Sequence, residues 1–81
     1  MVAIVLHDHA TLGRALRDAR RRLHLSQDEV AARSGVRQAT VSNIEQGVTR
    51  ATFTTVLRVM SAVELELVIQ PRRTPPASPW K

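Results

Sequence analysis

The sequence predicts a mainly α domain, four short helices followed by one β-strand. Three observations carry this. Apolar residues recur at intervals of three and four between Leu12 and Met60, the spacing of one helix face. Start and stop signals divide that stretch: Asp8, Ser26 and Thr52 stand ahead of the periodic runs, and Gly35 and Gly47 stand behind them. At Glu64 the period changes from 3.6 to 2 through Glu64-Leu65-Glu66-Leu67-Val68-Ile69-Gln70, and Pro71 stops it.

The elements follow in order. Residues 1–7 form an N-terminal segment in which Val2 to Leu6, apolar and β-branched, suits a short strand. Residues 8–63 make one helical domain. Asp8 caps a first helix from about His9 to Leu23, with Leu12, Leu16, Ala19 and Leu23 as its core stripe. Its outer face carries Arg14, Arg17, Arg21 and Arg22, either as a solvated face or as a grip on phosphates. Ser26 caps the second helix, and Glu29, three residues on, completes a capping box. Loss of the Ser26 cap would cost about 1 kcal/mol. Val30 and Ala31 face inward, Gly35 supplies the left-handed residue that ends the helix, and Val36 anchors the turn. A third helix from about Gln38 to Gln46 buries Val41 and Ile44. Thr52 caps a fourth, from about Phe53 to Val63, predicted to bury Phe53, Val56, Leu57 and Met60.

Residues 64–70 then read as a strand with Leu65, Leu67 and Ile69 on one face. The alternative is a continuation of the fourth helix, against which Val68, Ile69 and Pro71 count. A lone strand leaves its backbone groups unpaired and its apolar face open. Val2–Leu6 could supply a partner, and so could the same strand of a second subunit. Residues 71–81 form a flexible Pro-rich tail that carries the chain's single Trp, Trp80. Trp is enriched at binding hot spots, so Trp80 is a candidate anchor for a partner; the alternative is that it folds back onto its own domain.

The stretch Ser26–Gly47, SQDEVAARSGVRQATVSNIEQG, holds two short helices joined by a tight turn. That is the layout of a helix-turn-helix, whose second helix lies in the DNA major groove. The outer face of the third helix carries Gln38, Ala39, Thr40, Ser42 and Asn43. A solvated face ordinarily carries Lys and Glu. A face that meets base edges needs amides for bidentate contacts and small groups beside the thymine methyl. Arg37 falls at the N-cap of this helix, where Ser, Thr or Asp is favoured and where a cation opposes the helix dipole. A phosphate or guanine contact would account for it, and so would simple tolerance.

Composition narrows the remaining classes. Eighty-one residues make one domain with a small core. The absence of Cys excludes disulfides and thiolate chemistry. The net charge of +5 suits a polyanion partner. No apolar run approaches the ~20 residues that span a bilayer, and MVAIVLHDH lacks the basic start and long apolar core of a signal peptide. The expectation is therefore no membrane association and a cytoplasmic, nucleoid-associated protein. His7-Asp8-His9 is too sparse for a metal site, no nucleophile sits in an activating context and no Gly-rich phosphate loop is present. The sequence thus predicts no enzyme, no cofactor and no small-molecule substrate.

With its flanks LGRALRDARRRLHL and TFTTVLRVMSAV, this stretch resembles the phage-repressor and Cro-like (XRE) helix-turn-helix family over about fifty residues. The combination of LSQ, VAARSGV, ATVSNIE and the final Gly is specific; any one piece alone would be weak. The resemblance implies a lambda-repressor-like helix-turn-helix domain that binds double-stranded DNA. Most such domains continue into a fifth helix, whereas here the fourth passes straight into a strand. That arrangement, with VRQATVSNIE and TFTTVLRVMSAVELEL, is similar to HipB-type antitoxins. The family implies a homodimer that exchanges C-terminal strands, binds a palindromic operator, represses its own operon and binds a HipA-like serine/threonine kinase toxin through a terminal Trp, matched here by Trp80.

Matching positions implies further roles. Gln27 would contact a phosphate from the start of the second helix. Gln38 would read a base, its amide suited to adenine. Ala39 and Thr40 would lie near the groove floor, and Ser42 and Asn43 would reach bases or phosphates. Arg20 and Glu45 match a pair that forms a structural salt bridge between the first and third helices. His24 stands where the family often has Gly, which implies mild strain in that turn. Two other functions stay open: a stand-alone repressor of the same fold without a toxin, and a protein-interaction adaptor that no longer binds DNA. An adaptor should lack amides on the third helix, whereas Gln38 and Asn43 are present.

Overall fold

The computed structural model describes residues 3–48 and 50–72. Four helices follow one another: α1 (His9–Arg22), α2 (Gln27–Ser34), α3 (Gln38–Glu45) and α4 (Phe53–Ala62). Local chemistry sets the starts. The Asp8 carboxylate accepts from the Thr11 N–H at 2.8 Å, and the Thr52 hydroxyl accepts from the Thr55 N–H at 3.2 Å. At α2 both halves of the capping box are made, each at 3.0 Å: the Glu29 N–H donates to Ser26 Oγ, and the Ser26 N–H donates to Glu29 Oε1. α2 ends at Gly35, whose φ of 70° is left-handed, a conformation that strains side-chain-bearing residues. α3 begins at Arg37 with no side-chain cap.

The core is one cluster in which Leu16, Val30, Val41, Ile44 and Val59 are fully buried. α3 packs against α1 and α2, and α4 packs against α2. Leu12 and Leu23, expected in the stripe of α1, lie at its edge, and Ala15 is buried instead. α1 approaches α3 closely at Gly13. A Cβ there would stand 2.4 Å from the Glu45 carbonyl oxygen and 2.6 Å from that of Ile44.

α4 corrects the expected core. Phe53 is 65% exposed and Leu57 39% exposed, whereas Val59 and Val63 are buried beside Val56 and Met60. The helix has turned by one notch, so that Val56, Val59, Met60 and Val63 face α2 and Phe53 and Leu57 lie along a flank. α4 does not continue through residues 64–70. Glu64 takes φ +60°, and the Leu65 N–H turns back to the Met60 carbonyl at 2.9 Å. Leu65 packs against the core, while Leu67 and Ile69 are exposed. Among the described residues neither 65–70 nor 3–7 forms a strand ladder, because neither segment lies against a partner there. Val2 and the tail from residue 73, with Trp80, lie outside the described residues.

Candidate nucleic-acid interface

The interface is built where the N-termini of α2 and α3 meet. Gln27 is the first residue of α2 and Gln38 the first of α3. The tight turn at Gly35 and Val36 brings the two side chains together, and Val36 is held by packing against the core. Val41 and Ile44 bury the inner face of α3 completely. That leaves Gln38, Ala39 and Asn43 exposed and Thr40 and Ser42 half-buried on the outer face. Arg37 is exposed at the mouth of the turn. Among the described residues these side chains share one surface, and none of them carries a negative charge.

Beneath that surface runs a hydrogen-bonded chain. Arg20 donates through Nε to Glu45 Oε2 at 2.7 Å, through Nη2 to Glu45 Oε1 at 3.0 Å, and through Nη1 to the Leu25 carbonyl at 2.9 Å. Glu45 is buried and Arg20 nearly so. The hydrogen bonds to Glu45 hold the Arg20 guanidinium above its already high ordinary pKa, against the opposing effect of burial. The Gln27 amide Nε2 then donates to Glu45 Oε1 at 3.1 Å, and Gln38 Nε2 donates to Gln27 Oε1 at 2.6 Å.

The charge of Glu45 decides the direction of this chain. An ionised carboxylate only accepts, so Gln27 must turn its NH2 inward and its oxygen outward. Gln38 must then present its NH2 to Gln27, which leaves its Oε1 and one remaining N–H free toward solvent. That free edge pairs an acceptor with a donor, the complement of adenine N6–H and N7 in the major groove. Gln27, expected to contact a phosphate, connects the buried ion pair to Gln38. A second contact also went unread in the sequence: Gln46 Nε2 donates to Ser42 Oγ at 3.1 Å. Its i, i+4 spacing on α3 was the available signal.

Arg14, Arg17, Arg21 and Arg22 are all exposed on α1. His24, the expected site of strain, takes φ +57° between α1 and α2. Among the described residues no group of His, Asp and Glu is arranged to hold a metal ion, and no helix is long and apolar enough to cross a membrane.

The Helix-turn-helix family model matches residues 16–69, from the middle of α1 to the end of the segment that follows α4. The chain belongs to the helix-turn-helix family. Among curated proteins, this helix-turn-helix chain is 39% identical over 62 residues to the uncharacterized HTH-type transcriptional regulator y4dL of Sinorhizobium fredii. That match covers 76% of this chain but only 32% of y4dL, so the chain spans about a third of that relative. It is 28% identical over 64 residues to antitoxin HipB of Escherichia coli, covering 79% of this chain and 73% of HipB. A solved HipB–O2 20mer complex superposes with a TM-score of 0.80 at 25% identity, covering 89% of this chain and all of that one. A HipA–HipB–O2–O3 complex matches with a TM-score of 0.77 at 26% identity, covering 85% of this chain and 97% of that one. The four-helix architecture is thus that of a helix-turn-helix DNA-binding regulator of the HipB and XRE type.

Proposed function

We propose that this protein is a sequence-specific DNA-binding antitoxin that represses its own operon and neutralises a HipA-like serine/threonine kinase. The observation that carries the DNA-binding part is the outward edge of Gln38, an amide whose orientation is fixed from behind by Gln27, Glu45 and Arg20. In this reading α3 enters the major groove. Gln38 reads a base, Ala39 and Thr40 lie along the groove floor, and Ser42 and Asn43 reach neighbouring bases or phosphates. Arg37 holds a phosphate, which accounts for a cation at an uncapped helix start. Gln27 orients Gln38 and stays within reach of the backbone phosphate beside it.

Two copies bind a palindromic operator as a homodimer, joined through strands at residues 64–70 with Leu65, Leu67 and Ile69 facing the shared core. Two-fold symmetry places the recognition helices about one DNA turn apart, roughly 34–36 Å. The kinase partner is supported by the likeness to HipB, which is solved in complex with HipA, and by the lone Trp80 in the Pro-rich tail. The likeness to y4dL, a transcriptional regulator, favours a second reading in which the same DNA-binding dimer acts alone. Both readings place the protein on DNA in the cytoplasm, with no catalytic role and no cofactor.

Two experiments test this. A duplex selected from a random library, followed by fluorescence anisotropy, measures DNA recognition. Gln38→Ala should weaken binding by about 1–3 kcal/mol and relax base choice at one position; unchanged affinity and preference would remove Gln38 from the reading set. Capture of partners from the native host, with the intact chain and with Trp80→Ala, separates the two readings. A kinase captured by the first and lost with the second supports the antitoxin; no captured kinase favours the stand-alone regulator.

A further inference from the structure

The C-terminal ends of α2 and α4 border a cleft of about 400 Å³. Arg33 and Ser34 line it from α2, Arg58, Ser61 and Ala62 from α4, and Glu64 from the turn beyond. Arg58, Ser61 and Ala62 stand at i, i+3 and i+4, which puts them on one flank of α4. Among the described residues neither guanidinium has an ion pair or a hydrogen bond, and nor does the Glu64 carboxylate. Glu29, one turn before Arg33, has its carboxylate committed to the Ser26 N–H. Ser34 is buried, and its hydroxyl donates to the Val30 carbonyl at 2.7 Å, so its oxygen keeps a lone pair for a donor. We propose that this cleft docks an acidic segment of a partner protein, with an Asp or Glu carboxylate held between Arg33 and Arg58 and a backbone N–H of the same segment meeting Glu64 or Ser34. This goes beyond the function proposed above: no side chain assigned there to DNA, to the two-fold core or to the kinase lines the cleft.

Charge selects the occupant. The dipole of α2 accounts for Arg33, a cation in its last turn. It does not account for Arg58, which stands a full turn before the end of α4. Two unpaired guanidiniums in one cleft suit a carboxylate, which each can hold through paired N–H donors. DNA phosphate fits less well. Glu64 would face it, the ends of both helices carry partial negative charge, and α3 supplies no residue to the cleft. An inorganic anion would leave most of the space empty, since about 400 Å³ lies within the roughly 300–1,000 Å³ of sites that take ligands with several functional groups. A free small acid is disfavoured because both arginines are exposed, whereas sites for small ligands enclose most of the ligand surface. A segment of a folded partner has other contacts to hold it. It also brings together the carboxylate and the N–H that this mixed lining of cations and acceptors requires.

The test is titration of the isotope-labelled full chain, without DNA, with an acetylated and amidated tetraglutamate peptide, read by amide chemical shifts. The amides of Ser34, Ser61, Ala62 and Glu64 should move together and saturate, and the matching tetraglutamine peptide should leave them in place. Arg33→Gln/Arg58→Gln should weaken the apparent affinity roughly tenfold, as two exposed ion pairs are lost. Arg21→Gln/Arg22→Gln removes the same charge from α1 and should leave it unchanged; heat denaturation confirms that each variant folds. Amides that stay in place with tetraglutamate overturn the proposal. Equal weakening by the two pairs also overturns it, because net charge alone would then attract the peptide. So does inorganic phosphate that moves the same amides as far at matched ionic strength, which would make the cleft a simple anion site. A shallower salt slope for duplex binding by Arg33→Gln/Arg58→Gln would assign the cleft to the DNA backbone instead. The peptide titration contains neither DNA nor kinase, so its failure leaves the function proposed above standing.

Discussion

Gly13→Ala is the substitution for which helix propensity and tertiary packing predict opposite signs. In an interior helical position, Ala is favoured over Gly by about 1 kcal/mol, so α1 taken alone would be strengthened. In the fold, the added Cβ would lie 2.4 Å from the Glu45 carbonyl oxygen, 2.6 Å from the Ile44 carbonyl oxygen and 2.8 Å from the Glu45 carbonyl carbon. Carbon contacts are comfortable near 3.5 Å, so α1 and α3 must part by about 1 Å. The obstructing atoms are backbone, and no side chain can swing away. Overpacking costs about 1–3 kcal/mol, occasionally more, and a rigid obstruction falls at the upper end. After the gain in propensity, a net loss of roughly 2 kcal/mol remains, which for a domain of this size lowers Tm by roughly 8–16 °C. Differential scanning calorimetry measures it. The same displacement would draw Glu45 away from Arg20 and Gln27, so operator affinity should fall as well. A Gly13→Ala protein as stable as the parent, or more stable, would refute the close approach of α1 to α3.

Arg20→Met leaves the buried Glu45 carboxylate without its main partner and should cost about 3–5 kcal/mol, whereas the double variant Arg20→Met/Glu45→Met should recover much of it; denaturant melts of the three proteins decide this, and a double variant weaker than Arg20→Met would contradict it. Acid should destabilise the fold through its caps. Hydrogen bonds from Thr11 hold the Asp8 carboxyl below its ordinary 3.8, and those from Ser26 hold the Glu29 carboxyl below its ordinary 4.5. Depressed folded-state values mean that this stabilisation is present above the ordinary values and is lost as pH falls through the folded ones. Tm should therefore decline below about pH 4.5, and Asp8→Asn with Glu29→Gln should flatten the decline; a parent that gains stability between pH 5 and pH 3 would contradict the assignment. DNA affinity should fall with salt at a log–log slope of roughly −0.9 per phosphate contacted, and a flat response in a salt titration would argue against a DNA partner.

What the sequence revealed is mostly what depends on neighbours along the chain. Asp8, the Ser26–Glu29 box, Gly35 and Thr52 act within a few residues of themselves, and each does in the structure what its chemistry requires. Helix ends moved by a single residue, as fraying ends do. α4 was harder, because Phe53, Val56, Leu57 and Met60 satisfy a helical period as well as Val56, Val59, Met60 and Val63 do. On a helix with one charge there is no polar face to choose between them, and only packing on α2 decides. The burial of Gly13 and Ala15 depends on how near α1 comes to α3, which small side chains do not announce. The chain from Glu45 through Gln27 to Gln38 joins residues 18 and 11 positions apart, separations that follow from the turn and from no periodicity. Residues 64–70 alternate as a strand does yet form no ladder among the described residues, because alternation in one segment does not say which other segment would pair with it.

α2 and α3 have eight residues each, shorter than the ~12–15 at which even good helix formers become marginally stable in water. The conformation of the outer face of α3 is therefore supplied from beneath, by Val41 and Ile44 in the core and by Glu45 in its ion pair. The same support extends to Gln38, the side chain proposed to read a base. Fixing a free glutamine costs up to about 1.5–2 kcal/mol of rotamer entropy. Gln38 has already given up much of that freedom to Gln27, so under the proposed role less would be lost on meeting a base. Gln27→Ala removes the brace and leaves the reading amide in place. It should weaken operator binding by roughly 1–2 kcal/mol without changing which base is preferred at the Gln38 position. A role at a phosphate alone would also weaken binding, so the size of the loss does not distinguish them. The double variant Gln27→Ala/Gln38→Ala does. If Gln27 acts through Gln38, the two losses should overlap, with a coupling of at least about 0.5 kcal/mol in the cycle. Additive losses would mean that Gln27 serves the DNA backbone by itself, and that the hydrogen bond between the two amides contributes nothing to recognition.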